Sequence, residues 1–158
     1  MVLKCVGPTI QTSNLMNVKL QLITLEGITI DSEIYELMAP TAAGDIAVFP
    51  GHEPLVTIAT PGALVVRYEK NDSENDLEYF AISGGVIEVN PDAIRVLVDE
   101  ADHGEDIVEA ESKAALERAL KMRDEAKNRV DLEKAHELID RHTVRLRVAE
   151  LHHRRRHH

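Results

Sequence analysis

The sequence predicts an α+β chain: an N-terminal antiparallel β-sandwich or barrel of eight to ten short strands, then a C-terminal antiparallel two-helix hairpin. Two observations carry this. Through residues 18–99, glycines and prolines recur at short intervals between β-branched runs, as in a small sandwich or barrel. After Gly104 neither residue occurs again, and Ala, Leu, Glu, Lys and Arg take over, a helical composition. Only five aromatics are present in 158 residues (Tyr35, Phe49, Tyr68, Tyr79 and Phe80), so the core has to be aliphatic. The expected divisions are a flexible arm over 1–17, the sandwich over 18–101, the hairpin over 102–151 and a basic, histidine-rich tail over 152–158.

Residues 1–17 mix Gln, Thr, Ser and Asn without a period, and Gly7-Pro8 breaks any element there. From Val18 a strand begins, with Val18, Leu20 and Leu22 on one face and Lys19 and Gln21 on the other. Gly27 interrupts it, Ile28–Ile30 continues it, and Ser32–Met38 reads as a further strand before Pro40. The stretch GDIAVFPGHEPLVTIATPG (44–62) organises the domain. It contains a strand over Asp45–Phe49, a turn at Pro50-Gly51, a strand over Leu55–Ala59 and a turn at Pro61-Gly62. Proline pre-sets φ for the second residue of a turn, and glycine takes positive φ cheaply. Val65–Glu69 and Leu77–Ile82 flank NDSEND (71–76), a solvated hairpin loop; ISGGV (82–86) is the next break and Ala93–Asp99 the closing strand.

Asp102 and Glu105 have capping-box spacing, which starts the first helix there, and Glu105, Asp106 and Glu109 suit its N-terminus. Val108, Ser112, Ala115, Ala119, Met122 and Ala126 form a narrow stripe of mostly small side chains. Asn128-Arg129-Val130 is the interruption, Asp131 the N-cap of the second helix, and Leu132, Ala135, Ile139, His142, Leu146 and Ala149 its stripe. Each stripe is too thin to stabilise an isolated helix, so each helix needs a partner, either the other helix or a surface on another protein.

A net charge of −10 argues against nucleic acid as a partner, because binding phosphates takes a basic face. The lone cysteine, Cys5, allows no intrachain disulfide and points to a reducing compartment. No apolar run approaches the ~20 residues that span a bilayer. Walker A, GxSxG, CxxC and HExxH patterns are all absent, and nothing supports catalysis. His52, in PGHEP, reads as a turn histidine bonded to backbone rather than an acid or base. His142 reads as a hydrogen-bonded interface residue. His153 and His157, four apart, are too few for a closed zinc site, so no metal is expected.

FPGHEPL, the TPG after it, ISGG between two strands, VIEVNP beyond, and a terminal helix ending LRVAEL (146–151) occur in a characteristic order and spacing. Together they resemble the epsilon-subunit family of F-type ATP synthases over roughly residues 18–151. The resemblance implies a non-catalytic central-stalk subunit, peripheral on the cytoplasmic face of a bacterial plasma membrane, that couples ion flow to ATP synthesis. Its sandwich would bind the gamma subunit and the membrane rotor ring; Asp45 falls at the family's rotor-ring position and His52 at its gamma position. The family's helical pair folds down on the sandwich or extends along gamma. When extended, basic residues of its second helix approach an acidic segment of the catalytic beta subunits, within the alpha/beta assembly, and inhibit ATP hydrolysis. Arg141, Arg145 and Arg147 match that role, with Arg154–Arg156 beyond.

Some members of the family bind ATP on the folded hairpin through Ile/Leu-Asp-x-x-Arg-Ala. The matching stretch here is Ile107-Val108-Glu109-Ala110-Glu111-Ser112, with Val108 in place of Asp and Glu111 in place of the phosphate-facing Arg. A carboxylate repels a triphosphate, so no cofactor is expected. Two other readings stand beside this one: a small β-sandwich enzyme using His52 and Glu53, and a free-standing interaction module whose hairpin binds another partner.

Overall fold

The computed structural model describes residues 17–156. The arm with Cys5, the side chains of Arg155 and Arg156, and His157 lie outside the described residues. Ten strands precede two helices: β1 (Val18–Thr24), β2 (Gly27–Ile34), β3 (Glu36–Thr41), β4 (Gly44–Val48), β5 (Leu55–Ala59), β6 (Gly62–Arg67), β7 (Glu78–Ile82), β8 (Gly85–Val89), β9 (Ala93–Val98), β10 (Ala101–His103), α1 (Glu109–Glu125) and α2 (Arg129–Arg156).

The strands pair in the order β10-β7-β6-β3-β5-β8-β9-β1-β2, with β4 attached to β3. Among the described strands, only β1 and β9 run parallel. A single bridge, Thr41 to Ala59, joins β3 to β5, so the sheet folds there into two layers. Inward residues alternate with outward ones along most strands, and the inward set closes one aliphatic core. Leu20, Leu22, Ile34, Leu37, Leu64, Val66, Ile87, Ile94 and Val96 are fully buried in it. Phe80 is the one aromatic side chain of this buried cluster. Gly85 has φ of 150°, and a Cβ there would overlap the carbonyl oxygen of Leu97, so the ISGG break lets β8 lie close against β9.

Several expectations need correction. The strand expected over Ser32–Met38 is divided by a bend at Tyr35. Residues before it pair with β1 and residues after it with β6, so the chain passes from one layer to the other at that point. Pro40 lies inside β3 rather than beyond it; its carbonyl still accepts from Thr60 N–H at 3.1 Å, and only a donor is lost.

The first helix does not start at Asp102. Ala101–His103 forms β10 on the exposed edge of β7, Gly104 N–H donates to Tyr79 carbonyl oxygen at 2.8 Å, and α1 begins at Glu109. Backbone pairing to an open strand edge outweighs the local capping signal, and the expected sandwich–hairpin division at residue 101 cuts through this element. At the other end, Asn128 rather than Asp131 caps α2. Asn128 Oδ1 accepts from Asp131 N–H at 2.9 Å while its Nδ2 donates to the Asp131 carboxylate at 2.7 Å. The helix also runs on to Arg156, so His152 and His153 belong to it and not to a separate tail.

The helices pair as an antiparallel hairpin. Ser112, Ala119 and Ala135 are buried, whereas Val108, Met122 and Leu132 are 50%, 46% and 38% exposed at the margins. The hairpin lies down on the sandwich. Val148 and Ala149 of α2 bury against Ala81 of β7 and Ile107 of the connection, with Ala63, Tyr79 and Val144 around them.

Candidate partner-docking surface and regulatory helix

The PGHEP turn is built as its sequence requires. His52 N–H donates to Phe49 carbonyl oxygen at 3.1 Å, closing a turn with Pro50 second and Gly51 third at φ of 82°, the type II arrangement. His52 Nδ1 lies 2.7 Å from its neighbour Glu53's carbonyl oxygen, so Nδ1–H donates and the ring is fixed against local backbone. That geometry makes His52 a half-buried turn group held against its own backbone. Asp45 is exposed on β4, the strand outside the main pairing path, in register with Pro40.

The turn leads directly into β5, whose outward residues Val56 and Ile58 are 69% and 65% exposed. Ile58 stands opposite Val86, Val86 opposite Leu97, Leu97 beside Ile23, and Ile23 opposite Ile28. Residues in register point to the same face of a sheet, so these five form one aliphatic row across β5, β8, β9, β1 and β2. Val86, Leu97 and Ile28 are 42%, 44% and 62% exposed. A continuous row of branched aliphatics turned outward on a sheet is a candidate docking surface. The single-strand patterns identify each exposed residue, but the row exists only through the strand order.

On α2 the three arginines separate. Arg141 Nη2 lies 2.8 Å from Glu100 Oε2, and Arg145 Nη1 lies 2.8 Å from Asp102 Oδ2. Arg147, two residues on, is exposed and makes no ion pair among the described residues. The arginines were legible in the sequence; their carboxylate partners were not, since Asp102 reads there as a helix cap. Between the pairs sits His142, whose Nδ1 is buried without a hydrogen-bond partner among the described residues. Burial holds its pKa below the ordinary histidine value, repulsion from Arg141, Arg145 and Arg118 adds to this, and Asp102 opposes it.

Near the end of α2, His152 Nε2 is 3.9 Å from Glu105 and His153 Nε2 is 3.5 Å from Glu109. No group of three or more His, Cys, Asp or Glu among the described residues could hold a metal. No helix among them is long and apolar enough to cross a membrane. In the stretch compared with the nucleotide motif, Val108 precedes the first turn of α1 and Glu111 lies within it.

Residues 17–104 match the family model for the β-sandwich domain of the ATP synthase delta/epsilon chain. The chain belongs to this family. It is 34% identical over 136 residues to the ATP synthase epsilon chain of Herpetosiphon aurantiacus, covering 86% of this chain and 96% of that one. The epsilon chain of Chloroflexus aggregans is 33% identical over 137 residues, covering 87% and 95%. Among solved structures, a chain of the Euglena gracilis mitochondrial ATP synthase (the OSCP/F1/c-ring assembly) superposes with a TM-score of 0.72 at 23% identity, over 92% of this chain and 90% of that chain. That likeness covers sandwich and hairpin together and speaks to the fold.

Proposed function

We propose that this chain is the non-catalytic central-stalk subunit of an F-type ATP synthase, docking on gamma through its sandwich and coupling ion flow to ATP synthesis. The observation that carries this reading is the aliphatic row Ile58–Val86–Leu97–Ile23–Ile28. An apolar sheet face offers area for a stable protein interface. Asp45 on β4 would contact the rotor ring, and His52, at the entrance to the strand that begins the row, would contact gamma. The assembly would then be peripheral on the cytoplasmic face of a bacterial plasma membrane.

In the same reading α2 regulates. Arg141, Arg145 and Arg147 are cations on an acidic chain, suited to an acidic segment of the beta subunits, and their engagement would restrain ATP hydrolysis. The hairpin would act without ATP, because Val108 supplies no polar group at the start of α1 and Glu111 places a negative charge one turn in.

The test is binding of Ile58→Asp and Leu97→Asp variants to the gamma subunit. Both positions are exposed, so folding stability should change by no more than about 0.5 kcal/mol. A charge forced into a dry interface should cost about 2 kcal/mol of binding or more, a roughly thirtyfold loss. Unchanged gamma affinity in both variants would remove the row from the interface and the reading with it.

A further inference from the structure

Arg141 and Arg145 are four residues apart on α2, hence one turn apart and about 6 Å along its axis. Glu100 and Asp102 are two residues apart on an extended segment, which places alternate side chains on one face about 6.6 Å apart. The two spacings match, and both pairs close at 2.8 Å. One pair would let α2 rock or slide; two pairs fix its register on the sandwich. The apolar contact next to them on α2 is small: Val148 and Ala149 on one side, Ala81 and Ile107 on the other.

The pairs are built to release. All four side chains remain partly solvated, with exposures of 39% and 42% for Arg141 and Glu100 and 21% and 31% for Arg145 and Asp102. Each guanidinium meets its carboxylate through one terminal nitrogen, while the Nε of both arginines is buried without a hydrogen-bond partner among the described residues. A forked, two-bond pairing would hold more firmly.

We propose that Glu100 and Asp102 form a two-point electrostatic latch that holds the hairpin down by occupying Arg141 and Arg145. It rests on the reading of α2 as the regulatory segment. An acidic partner surface and the latch then compete for the same two guanidiniums, so docking on the sandwich and engagement of the partner exclude each other. The hairpin opens when an outside set of carboxylates replaces the inside set, with no bound ligand required. Arg147, outside the latch, stays available for first contact with such a surface.

The latch is tested in the full chain by a spin-label distance between Thr29→Cys and Asp140→Cys, with Cys5→Ser. Thr29 and Arg141 line the same cleft, so this distance lengthens when α2 lifts. Combining Glu100→Gln with Asp102→Asn should raise the open fraction severalfold and abolish its response to salt. The unsubstituted latch should open further as NaCl rises from about 0.05 M to about 1 M, because partly solvated pairs are screened. Exchanging the charges, Asp102→Arg with Arg145→Asp, should restore the closed distance. An open fraction unchanged by the neutral substitutions overturns the latch, and so does an exchanged pair that opens as widely as Asp102→Asn alone. ATP hydrolysis by the assembled complex separates the two readings. Opening with lower hydrolysis supports both, whereas opening with unchanged hydrolysis keeps the latch and removes the inhibitory role.

Discussion

At the scale of single residues, His142 is a histidine whose surroundings oppose its own charging. Burial and the Arg141, Arg145 and Arg118 cations disfavour the imidazolium, so the docked state binds fewer protons there than an open or unfolded state whose pKa is the ordinary 6.5. Stability contributed by neutral His142 is therefore present above 6.5 and is lost as pH falls from 6.5 through its lowered docked value. His142→Gln keeps a polar side chain and removes the titration. The expected outcome is that the variant loses less stability than the parent between about pH 8 and about pH 5.5 in urea melts, the difference appearing only below neutrality. Equal pH dependence in both proteins would show that His142 does not titrate on opening. Other histidines have carboxylates beside them, His152 with Glu105 and His153 with Glu109, which is why the comparison is made by difference.

At the scale of elements, the hairpin joins two helices that neither propensity nor burial makes stable alone. Its seam is narrow, with Ser112, Ala119 and Ala135 as the buried residues of the α1–α2 contact, and small side chains remove little apolar area from water. The turn between the helices therefore matters more than usual. Asn128 satisfies an N–H of the first turn of α2 and is held in turn by Asp131. Asn128→Ala should cost about 1 kcal/mol. The loss should appear as faster amide exchange at the start of α2 and along α1, while the amides of β1 and β9 keep their protection. Uniform loss of protection across the sandwich would mean that hairpin and sandwich unfold as one unit.

At the scale of the whole molecule, one closed aliphatic core lies within residues 18–98 and a second, small apolar contact fastens the hairpin to it. The sandwich thus keeps its entire core without the helices. Deleting everything after Glu105 retains β10 and should leave a cooperatively folding domain that still binds gamma. In the assembled complex the same deletion should raise ATP hydrolysis. Hydrolysis equal to that of the full-length complex would make the hairpin structural rather than regulatory.

Much of this protein is decided by short-range physics and was legible in the sequence. Period-two alternation, turn residues such as Pro50-Gly51, and the change of composition after Gly104 each act over a few residues, so they identify strands, turns and helices before any fold is known. Asp45 and His52 lie on the surface segments that those signals indicate, and the small-residue stripes announce a hairpin. What the tertiary structure alone decided is non-local. The open edge of β7 drew Ala101–His103 into the sheet and moved the start of α1 to Glu109. Strand order assembled Ile23, Ile28, Ile58, Val86 and Leu97 into one surface from five separate segments. The fold-back of α2 placed Arg145 on Asp102, 43 residues away in the chain, and Arg141 on Glu100. Local preferences cannot specify such pairings, because each depends on which surfaces remain unpaired once the core has closed.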